Sequence, residues 1–446
     1  MAKENYLAQF YGKSQNYTEI PNKWYKEYNV KKGLRNEDGT GVRVGLTRIA
    51  DVVGYEETEE GIKAIPGKLY YRGIDIVDLV KGKLGSHFGY EEVCFLLLFG
   101  YLPKKKELDR FCQVLRDFYE IPDEFVEMNL LRMPGKNLMN KLQDAVLTLY
   151  NYDEDPDNID VYETLVKGLN LVAKLPSIAC YAYQSKVHYY DRDSLFIHYA
   201  NPEYSIAENF LSLLRKDQKF SPKEAGLLDT LLMLHADHGG GNNSTFTNVV
   251  ISSTGTDIYS TISGSIGSLK GPRHGGANIK VAEMKDAVLE ETGGYGASDE
   301  KIRRTVEKIM DGRLYDGSGL VYGFGHAVYT ISDPRADILR AYCQAVAKEK
   351  NMMEELDFHM RFERIAQEVM AERKGKALPT NVDFYSGFAY HMLGIPRDLY
   401  TPLFVIARMV GWLAHNIENK LYDGRIMRPA TKYVGENQTY VPMEER

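Results

Sequence analysis

The sequence has no long apolar run and few cysteines. Its longest apolar stretch, VCFLLLFGYL at residues 93–102, is about half the length that spans a bilayer. The first residues, MAKENYLAQFYGKSQNY, lack the apolar core of a secretory signal. The four cysteines, Cys94, Cys112, Cys180 and Cys343, have no CxxC spacing, so neither a disulfide framework nor a cysteine-bound zinc is indicated. We therefore expect a cytoplasmic protein without a membrane anchor.

An excess of basic charge is also missing. Lysine and arginine total 55 against 62 acidic residues, which gives a net charge of −7. Nucleic acids and anionic membranes are bound by clustered positive charge, so we expect neither as a partner. An anionic ligand would have to be held by a few individually placed cations.

Length and periodicity predict a mainly α protein. A chain of 446 residues with 44% hydrophobic residues exceeds a single typical core, so two domains are expected. Residues 41–75 combine β-branched residues with glycine and predict a few short strands. Apolar residues at helical spacing predict helices at residues 90–100, 104–120, 137–150, 159–185 with a kink at Pro176, 222–236, 275–290, 299–311, 333–349, 352–371 and 397–418.

A more charged region near residues 291–381 predicts a smaller domain inserted into a larger one. We place the large domain at residues 1–285 and 384–446, and the small helical domain at residues 286–383.

The segment LLMLHADHGGGNNSTFT ends a predicted helix with His235, Asp237 and His238. Two histidines three residues apart could bind a metal together with Asp237, as in a metal-dependent hydrolase. They could equally be hydrogen-bonded core histidines. This segment alone leaves both interpretations open.

His274 stands among backbone-shaping residues in GPRHGGAN, directly before a predicted helix. The positive end of the helix dipole and neighbouring Arg273 would both disfavour a charged imidazolium. A neutral imidazole in such a place can donate a hydrogen bond to a developing enol oxygen. The alternative is a histidine that only caps the helix.

His326 follows two glycines in LVYGFGHAVYTISDPRADILR. Gly323 and Gly325 would let a ligand approach the backbone closely. A turn before a helix, with Asp333 as its N-cap, explains the DPRA sequence that carries Arg335 but does not explain His326.

Two further charged residues lie in apolar surroundings. Asp383, in NVDFYSG, is either a helix N-cap or a carboxylate whose apolar neighbours raise its pKa and make it a usable base. Arg408, in TPLFVIARMVGWLAH, needs an anionic partner, which could be a ligand carboxylate or a structural ion pair. Arg428 by itself is typical of a solvated tail.

Six segments, taken in order, resemble the citrate synthase family over residues 230–435. They are HADHGGGN, GPRHGGAN, GFGHAVY with DPRA, NVDFYSG, FVIARMVGWLAH and MRPATKYVG. The resemblance implies the two-domain helical fold of that family. It also implies the condensation of acetyl-CoA with oxaloacetate and water to citrate and CoA, the opening step of the tricarboxylic acid cycle, with no metal and no cofactor beyond the substrates.

The resemblance also implies residue roles. Asp383 would remove a methyl proton from acetyl-CoA, neutral His274 would stabilise the enol, and His326 would bind and protonate the oxaloacetate ketone. Oxaloacetate would be held by His238, His326, Arg335, Arg408 and Arg428, the last reaching in from the second subunit of a homodimer. Gly275 and Gly276 would leave room for the thioester.

Two points stay open at this stage. A 2-methylcitrate synthase, which uses propionyl-CoA, would share the same residues. Many family members have a basic residue directed at the CoA phosphates where this chain has Thr330, so other basic residues would have to serve.

Overall fold

A computed structural model describes residues 2–37, 39–59, 61–83, 87–376, 378–422 and 424–446. Contacts between Cα atoms divide the chain into two units. One comprises Met1–Gly45 with Met427–Arg446, and the other comprises Leu46–Ile426. The predicted boundaries at 285/286 and 383/384 both fall inside the second unit, and the inserted small domain stays a prediction.

The described residues contain the following regular elements. The strands are β1 (Ala50–Thr58), β2 (Gly61–Tyr71) and β3 (Ile74–Asp75). The helices are α1 (Ala2–Thr18), α2 (Lys23–Glu27), α3 (Ile76–Gly82), α4 (Gly89–Phe99), α5 (Lys105–Asp117), α6 (Asp123–Phe125), α7 (Leu138–Leu149), α8 (Val161–Lys186), α9 (Ile206–Leu214), α10 (Pro222–His235), α11 (Asn243–Ser252), α12 (Ile258–Lys270), α13 (Ala277–Thr292), α14 (Asp299–Met310), α15 (Pro334–Glu349), α16 (Met353–Lys374), α17 (Val382–Met392) and α18 (Tyr400–Leu421).

The smaller unit contains α1 and α2 and the C-terminal segment of the chain. Its N-terminal part closes a turn in which the Val42 N–H donates to the Leu34 carbonyl oxygen at 2.9 Å. The Lys432 ammonium lies 5.8 Å from the ring centroid of Tyr28, which joins the C-terminal segment to the N-terminal one.

The mainly α fold class and the short N-terminal strands are confirmed. The three strands form one antiparallel sheet in the order β1-β2-β3, with an irregularity between Val53 and Tyr55. All the predicted helices are present with ends shifted by a few residues, and α8 runs through Pro176. The ranges predicted from periodicity do not include α1, α2, α3, α6, α9, α11, α12 and α17. Several of these helices are short or carry polar residues on more than one face.

The core of the larger unit is built around α18. This helix is buried from Tyr400 to Asn416 and packs against α8, α10 and α11. A helix that is apolar on all sides is stable only inside a protein, which explains its central position. Arg408 lies halfway along it and is only 1% exposed.

Local sequence signals fix the ends of the helices that carry the candidate residues. Ser221 and Glu224 form a capping box at the start of α10, with Pro222 in the first turn. Asp333 caps α15 and is followed by Pro334. Within the described residues, no helix combines the length and apolarity needed to cross a bilayer.

The Tyr71 hydroxyl links the sheet to the end of α10. It lies 3.0 Å from both the Met233 and Asp237 carbonyl oxygens and accepts a hydrogen bond from the Asp237 N–H at 3.2 Å. Tyr71 is 0% exposed, so these backbone groups have no access to bulk water.

We predict that Tyr71→Phe lowers the free energy of unfolding by about 1–3 kcal/mol, because it leaves buried backbone groups without their partner. Urea unfolding followed by circular dichroism measures this change. Tyr70→Phe, at the neighbouring position, is the matched control. Because the Tyr70 side chain is only partly buried, we expect the free energy of unfolding to change by less than about 0.5 kcal/mol. Equal effects of the two substitutions would contradict this role.

Candidate active site

Three aromatic side chains from two segments form the centre of the candidate site. The His238 ring lies edge-on to His326 at 5.0 Å and to Tyr329 at 5.6 Å between centroids. Burial, followed by nearby Arg335, lowers the pKa of His238 well below its usual range. His238 is therefore neutral near pH 7. Its buried Nε2 has no hydrogen-bond partner among the described residues.

Hydrogen bonds fix the orientation of the His326 ring. Its Nδ1 accepts from the backbone N–H groups of Val328 at 3.0 Å and Tyr329 at 3.1 Å. The ring also stacks on Tyr329 with centroids 4.5 Å apart. Because Nδ1 is the acceptor, Nε2 is the ring nitrogen that carries a proton. His326 is thus prepared to donate a hydrogen bond from that atom.

Arg335 is held by a buried carboxylate. Its Nε and Nη2 donate to the two oxygens of Asp333 at 2.9 and 2.7 Å, and the same carboxylate caps α15 through the Arg335 N–H. Burial opposes the charge on Arg335, but Asp333 outweighs it and raises the arginine pKa. Capping explains Asp333 only in part, because the residue also orients this guanidinium.

Arg408 has no such carboxylate. Among the described residues, none places a carboxylate oxygen within 4.0 Å of it. Its Nε donates to the His235 carbonyl oxygen at 2.6 Å, and its guanidinium lies 4.7 Å from the Phe404 centroid. Burial lowers its pKa to about 10, so it is still charged at pH 7. The structural ion pair considered from the sequence is therefore not found among the described residues. A buried cation that lacks an ion-pair partner is a favourable place for an anionic ligand.

His274 lies in the turn before α13 and contacts the start of α11. The backbone N–H of Ser244 donates to His274 Nε2 at 3.3 Å, and the Ser244 Oγ lies 2.9 Å from the same nitrogen. Nε2 is therefore the acceptor, and the neutral ring carries its proton on Nδ1. Trp412 supports this arrangement, because its indole N–H donates to the Ser244 Oγ at 3.2 Å.

The predicted neutrality of His274 is confirmed, but its physical cause differs from the expected one. Burial is the largest effect and Arg408 the next, and together they lower the His274 pKa to about 4. The sequence interpretation had relied on Arg273 and the dipole of the following helix. Arg273 is exposed, and the capping residue of α13 is Gly276.

Asp383 is the second residue of α17 and does not cap it. The Asn381 side chain is the cap, accepting from the Asp383 N–H at 3.0 Å. The capping alternative for Asp383 is therefore wrong. Burial raises the pKa of Asp383 to about 7, although Arg335 and Arg408 oppose the shift. Its Oδ1 is buried and has no hydrogen-bond partner in the described part of the chain.

The glycine-rich loop before His326 is tied to the start of α17. The Asn381 N–H donates to the Gly323 carbonyl oxygen at 2.9 Å, and its side-chain amide donates to the Gly325 carbonyl oxygen at 3.0 Å. Gly323 has φ +86°, and a Cβ there would lie 3.0 Å from the Phe384 Cβ. Glycine is thus required for loop packing against α17, which fixes His326 relative to Asp383.

The glycines after His274 also serve packing. A Cβ on Gly275 would lie 2.7 Å from the Leu269 side chain, and one on Gly276 would lie 2.9 Å from the Lys270 carbonyl oxygen. The resemblance implied that these glycines leave room for a thioester. The space that a side chain would fill at either glycine is instead occupied by residues of α12. The glycines instead bring the His274 turn close to that helix.

The metal-site alternative is not supported. His235 directs Nδ1 to the Leu231 carbonyl oxygen at 2.7 Å, and burial lowers its pKa to about 3. Asp237 lies 3.2 Å from His415 Nε2 and accepts from the Gly239 N–H. Across the described ranges, no three side chains of the ligating types are grouped to hold a metal ion.

The structure does not test the roles expected at Arg428 and around Thr330. Arg428 is exposed and belongs to the unit formed by Met1–Gly45 and Met427–Arg446, so its oxaloacetate role stays a prediction. The Thr330 hydroxyl is buried without a hydrogen bond among the described residues. The expectation that other basic residues bind CoA phosphates also stays a prediction.

Sequence reasoning missed several supporting residues, namely Ser244, Asn381, Tyr329 and Trp412, and the pairing of Asp333 with Arg335. Ser244, Asn381 and Trp412 contact groups that lie 30, 56 and 168 residues away in the chain, and the Tyr329 hydroxyl donates to the Lys68 carbonyl oxygen. Two of the missed features are local, because asparagine two residues before Asp383 is a favoured N-cap and Asp333 lies two residues from Arg335.

Taken together, the site combines the raised-pKa carboxyl of Asp383, the neutral histidines His238 and His274, the oriented ring of His326 and the buried guanidinium groups of Arg335 and Arg408. Arg408 influences the charge states of His274, His238 and Asp383, which places these groups within electrostatic reach of one another. Such a set can bind a compact carboxylate, remove a weakly acidic proton and donate hydrogen bonds to the oxygen that becomes negative.

Comparison with known proteins agrees with this chemistry. A family model described as citrate synthase, C-terminal domain, matches residues 38–430. The citrate synthase of Haloferax volcanii is 36% identical over 85% of this chain and 93% of its own. The 2-methylcitrate synthase of Shewanella oneidensis is 32% identical over 85% of this chain and 92% of its own.

A solved ternary complex of citrate synthase from Thermoplasma acidophilum with carboxymethyl coenzyme A and oxaloacetate has the same fold, with a TM-score of 0.75. Its sequence is 26% identical, and the match covers 93% of this chain and 99% of that one. The chain therefore belongs to the citrate synthase family.

Proposed function

We propose that this protein is a citrate synthase, which condenses acetyl-CoA with oxaloacetate and water to give citrate and CoA. The observation that carries the proposal is the Asp383 carboxyl, which has a pKa of about 7 and a buried Oδ1 without a hydrogen-bond partner among the described residues. It lies within electrostatic reach of Arg408, which also acts on neutral His274. The citrate synthase bound to carboxymethyl coenzyme A and oxaloacetate supports the choice of substrates.

Proton removal is the first chemical step. Asp383 takes a proton from the methyl carbon of acetyl-CoA, and the electrons of that C–H bond form the enol double bond. His274 donates a hydrogen bond from Nδ1 to the thioester oxygen as negative charge develops there. A carboxylate is a weak base for such a carbon acid, so the paired donor is needed for an adequate rate.

Oxaloacetate occupies the arginine-lined part of the site. Arg335 and Arg408 pair with its carboxylates, since guanidinium groups bind carboxylates in a planar, two-point geometry. His238 and His326 hydrogen-bond to the substrate, with His326 on the ketone oxygen. The enol carbon attacks the ketone carbon, and His326 supplies a proton to the resulting alkoxide. Water then cleaves the thioester of the intermediate and releases the CoA thiol.

The proposal extends to the assembly of the protein. The enzyme acts as a cytoplasmic homodimer in which Arg428 of the partner subunit completes the oxaloacetate site. Four cysteines that are all buried and unpaired are consistent with a reducing compartment. The chemistry is acid–base throughout, and therefore no cofactor is required beyond the two substrates.

Product analysis tests the proposed function directly. Purified protein mixed with acetyl-CoA and oxaloacetate should release one CoA thiol for each citrate detected by NMR. The ratio of kcat/KM for acetyl-CoA to that for propionyl-CoA should exceed one. A ratio below one would assign the protein as a 2-methylcitrate synthase, and no thiol release from either substrate would refute the proposal.

We predict that Asp383→Asn lowers kcat by about 10²–10⁴-fold, because the base is lost while the shape of the side chain is kept. The dissociation constant for oxaloacetate should change little, because the arginines and His238 remain. Steady-state kinetics and oxaloacetate titration calorimetry measure the two quantities. Asp337→Asn, at an exposed position on α15, is the matched control and should retain activity. A parallel loss of oxaloacetate binding in Asp383→Asn would assign Asp383 a structural role.

We also predict that kcat/KM falls about tenfold per pH unit below a break near pH 7. The raised pKa of Asp383 means that the carboxyl is protonated, and cannot accept a proton, below about 7. His274 stays neutral down to about pH 4 and adds no break in this range. Lys285 has a lowered pKa of about 7, so Lys285→Met is the control, and the break should persist in it. A break near pH 4 instead of pH 7 in the wild-type protein would contradict the assignment. Loss of the break near pH 7 in Lys285→Met would also contradict it.

A further inference from the structure

A cavity lies beside the helices that carry the proposed acid–base pair. It has a volume of about 100 Å³ and is lined by residues of α13, α16 and α17, with Tyr400 of α18 at one side. His274 precedes α13, and Asp383 lies in the first turn of α17. None of the residues assigned to acetyl-CoA or oxaloacetate lines this cavity.

The walls of the cavity are mostly apolar and aromatic. α13 contributes Val281 and Val288, α16 contributes Phe358 and Phe362, and α17 contributes Phe388. A compact hydrocarbon group would replace little water and gain dispersion contacts on several sides.

Lys285 of α13 lines this apolar space. Its Nζ lies 3.0 Å from His359 Nε2 and 3.3 Å from the Phe384 carbonyl oxygen. The ammonium also lies 4.9 Å from the Phe384 ring centroid and 5.6 Å from that of Phe388. Burial lowers the Lys285 pKa to about 7, so the group is close to losing its charge at neutral pH.

No carboxylate neutralises Lys285. In the ranges that the structure describes, no acidic oxygen lies within 4.0 Å of its Nζ. Two acids that line the same cavity, Asp286 and Glu355, have other partners. Asp286 pairs with Arg397, with an Nη2–Oδ1 distance of 2.7 Å, and Glu355 accepts from Tyr295 at 3.0 Å and contacts His391 at 3.2 Å.

The remaining titratable groups near Lys285 either have other hydrogen-bond partners or are uncharged. Glu363 of α16 accepts from the Tyr385 and Thr380 hydroxyls. Burial raises the pKa of the Cys343 thiol of α15 to about 12, so it is neutral at pH 7. His359 lies 3.0 Å from the Phe384 carbonyl oxygen as well as from Lys285. Among the described residues that line the cavity, Arg397 is paired with Asp286, whereas Lys285 has no carboxylate oxygen within 4.0 Å of its Nζ.

We propose that this cavity binds a small monocarboxylate with a compact apolar body, whose carboxylate pairs with the Lys285 ammonium. Charge complementarity selects an acid, and the aromatic walls select a hydrocarbon body. The volume limits the ligand to a short acid, because a cavity of about 150 Å³ is filled by one benzene molecule. A dicarboxylate would place its second charge against the aromatic walls or beside the carboxylates of Asp286 and Glu355, and both placements are unfavourable.

Isobutyrate and its neutral isostere isobutyramide are the probes. Titration calorimetry at pH 6.5, where Lys285 is charged, should give isobutyrate at least a tenfold lower Kd than isobutyramide. Isobutyrate binding should also take up protons between pH 7 and 8, because a bound anion raises the Lys285 pKa. Titrations in buffers of different ionisation enthalpy measure that uptake.

Two variants locate the binding. Lys285→Met keeps the side-chain length and removes the charge, and it should abolish the preference for the acid. Gly387→Leu adds bulk to the cavity lining at a position where a Cβ meets nothing closer than 3.7 Å, and it should weaken both probes at least tenfold with Lys285 intact. Circular dichroism verifies the fold of each variant, and Gly387→Leu keeps the test decisive if Lys285→Met does not fold.

Equal affinities for the two probes, or an unchanged isobutyrate Kd in either folded variant, would overturn the proposal. Absence of isobutyrate binding to wild type would do the same. The binding does not depend on the activity proposed above, since a protein inactive toward acetyl-CoA would still bind isobutyrate here.

Discussion

The buried charge of Arg408 is the constraint on which the arrangement of the site depends. This guanidinium sits in the middle of the central helix α18 with a carbonyl oxygen and an aromatic face as its neighbours, but no paired carboxylate among the described residues. It disfavours protonation of His274 and His238, and it favours the ionised form of Asp383 against the stronger effect of burial. A carboxylate of the proposed substrate would form an ion pair with the Arg408 guanidinium.

The reactive groups stand at helix ends, where capping and turns fix the backbone while side chains stay available. His238 follows α10, His274 precedes α13, and Arg335 and Asp383 lie in the first turns of α15 and α17. Asn381 and Asp333 satisfy the backbone at two of these ends, so the reacting side chains are not used as caps. Buried polar atoms without a hydrogen-bond partner among the described residues, such as Asp383 Oδ1, are energetically unfavourable, and the proposed substrates would provide partners for them.

The sequence was sufficient to predict the helical class, most of the long helices and the residues of the central cluster. It could not predict the causes of their behaviour. The neutral state of His274 was expected from Arg273 and a helix dipole, whereas burial and Arg408 produce it. Asp383 was weighed as a cap because a carboxylate near a helix start usually is one, yet Asn381 fills that role. Ser244, Trp412 and Lys285 act through contacts between distant segments, which periodicity and local signals do not encode.

We propose that burial, with no hydrogen-bond partner on Oδ1 among the described residues, makes Asp383 a base that works near neutral pH. A carboxyl ¹³C NMR titration of the ligand-free protein, with Asp383 assigned by its absence in Asp383→Asn, measures this most directly. The account predicts a midpoint of about 7 for that resonance. A midpoint near 3.9, the value of an unperturbed aspartate, would contradict it.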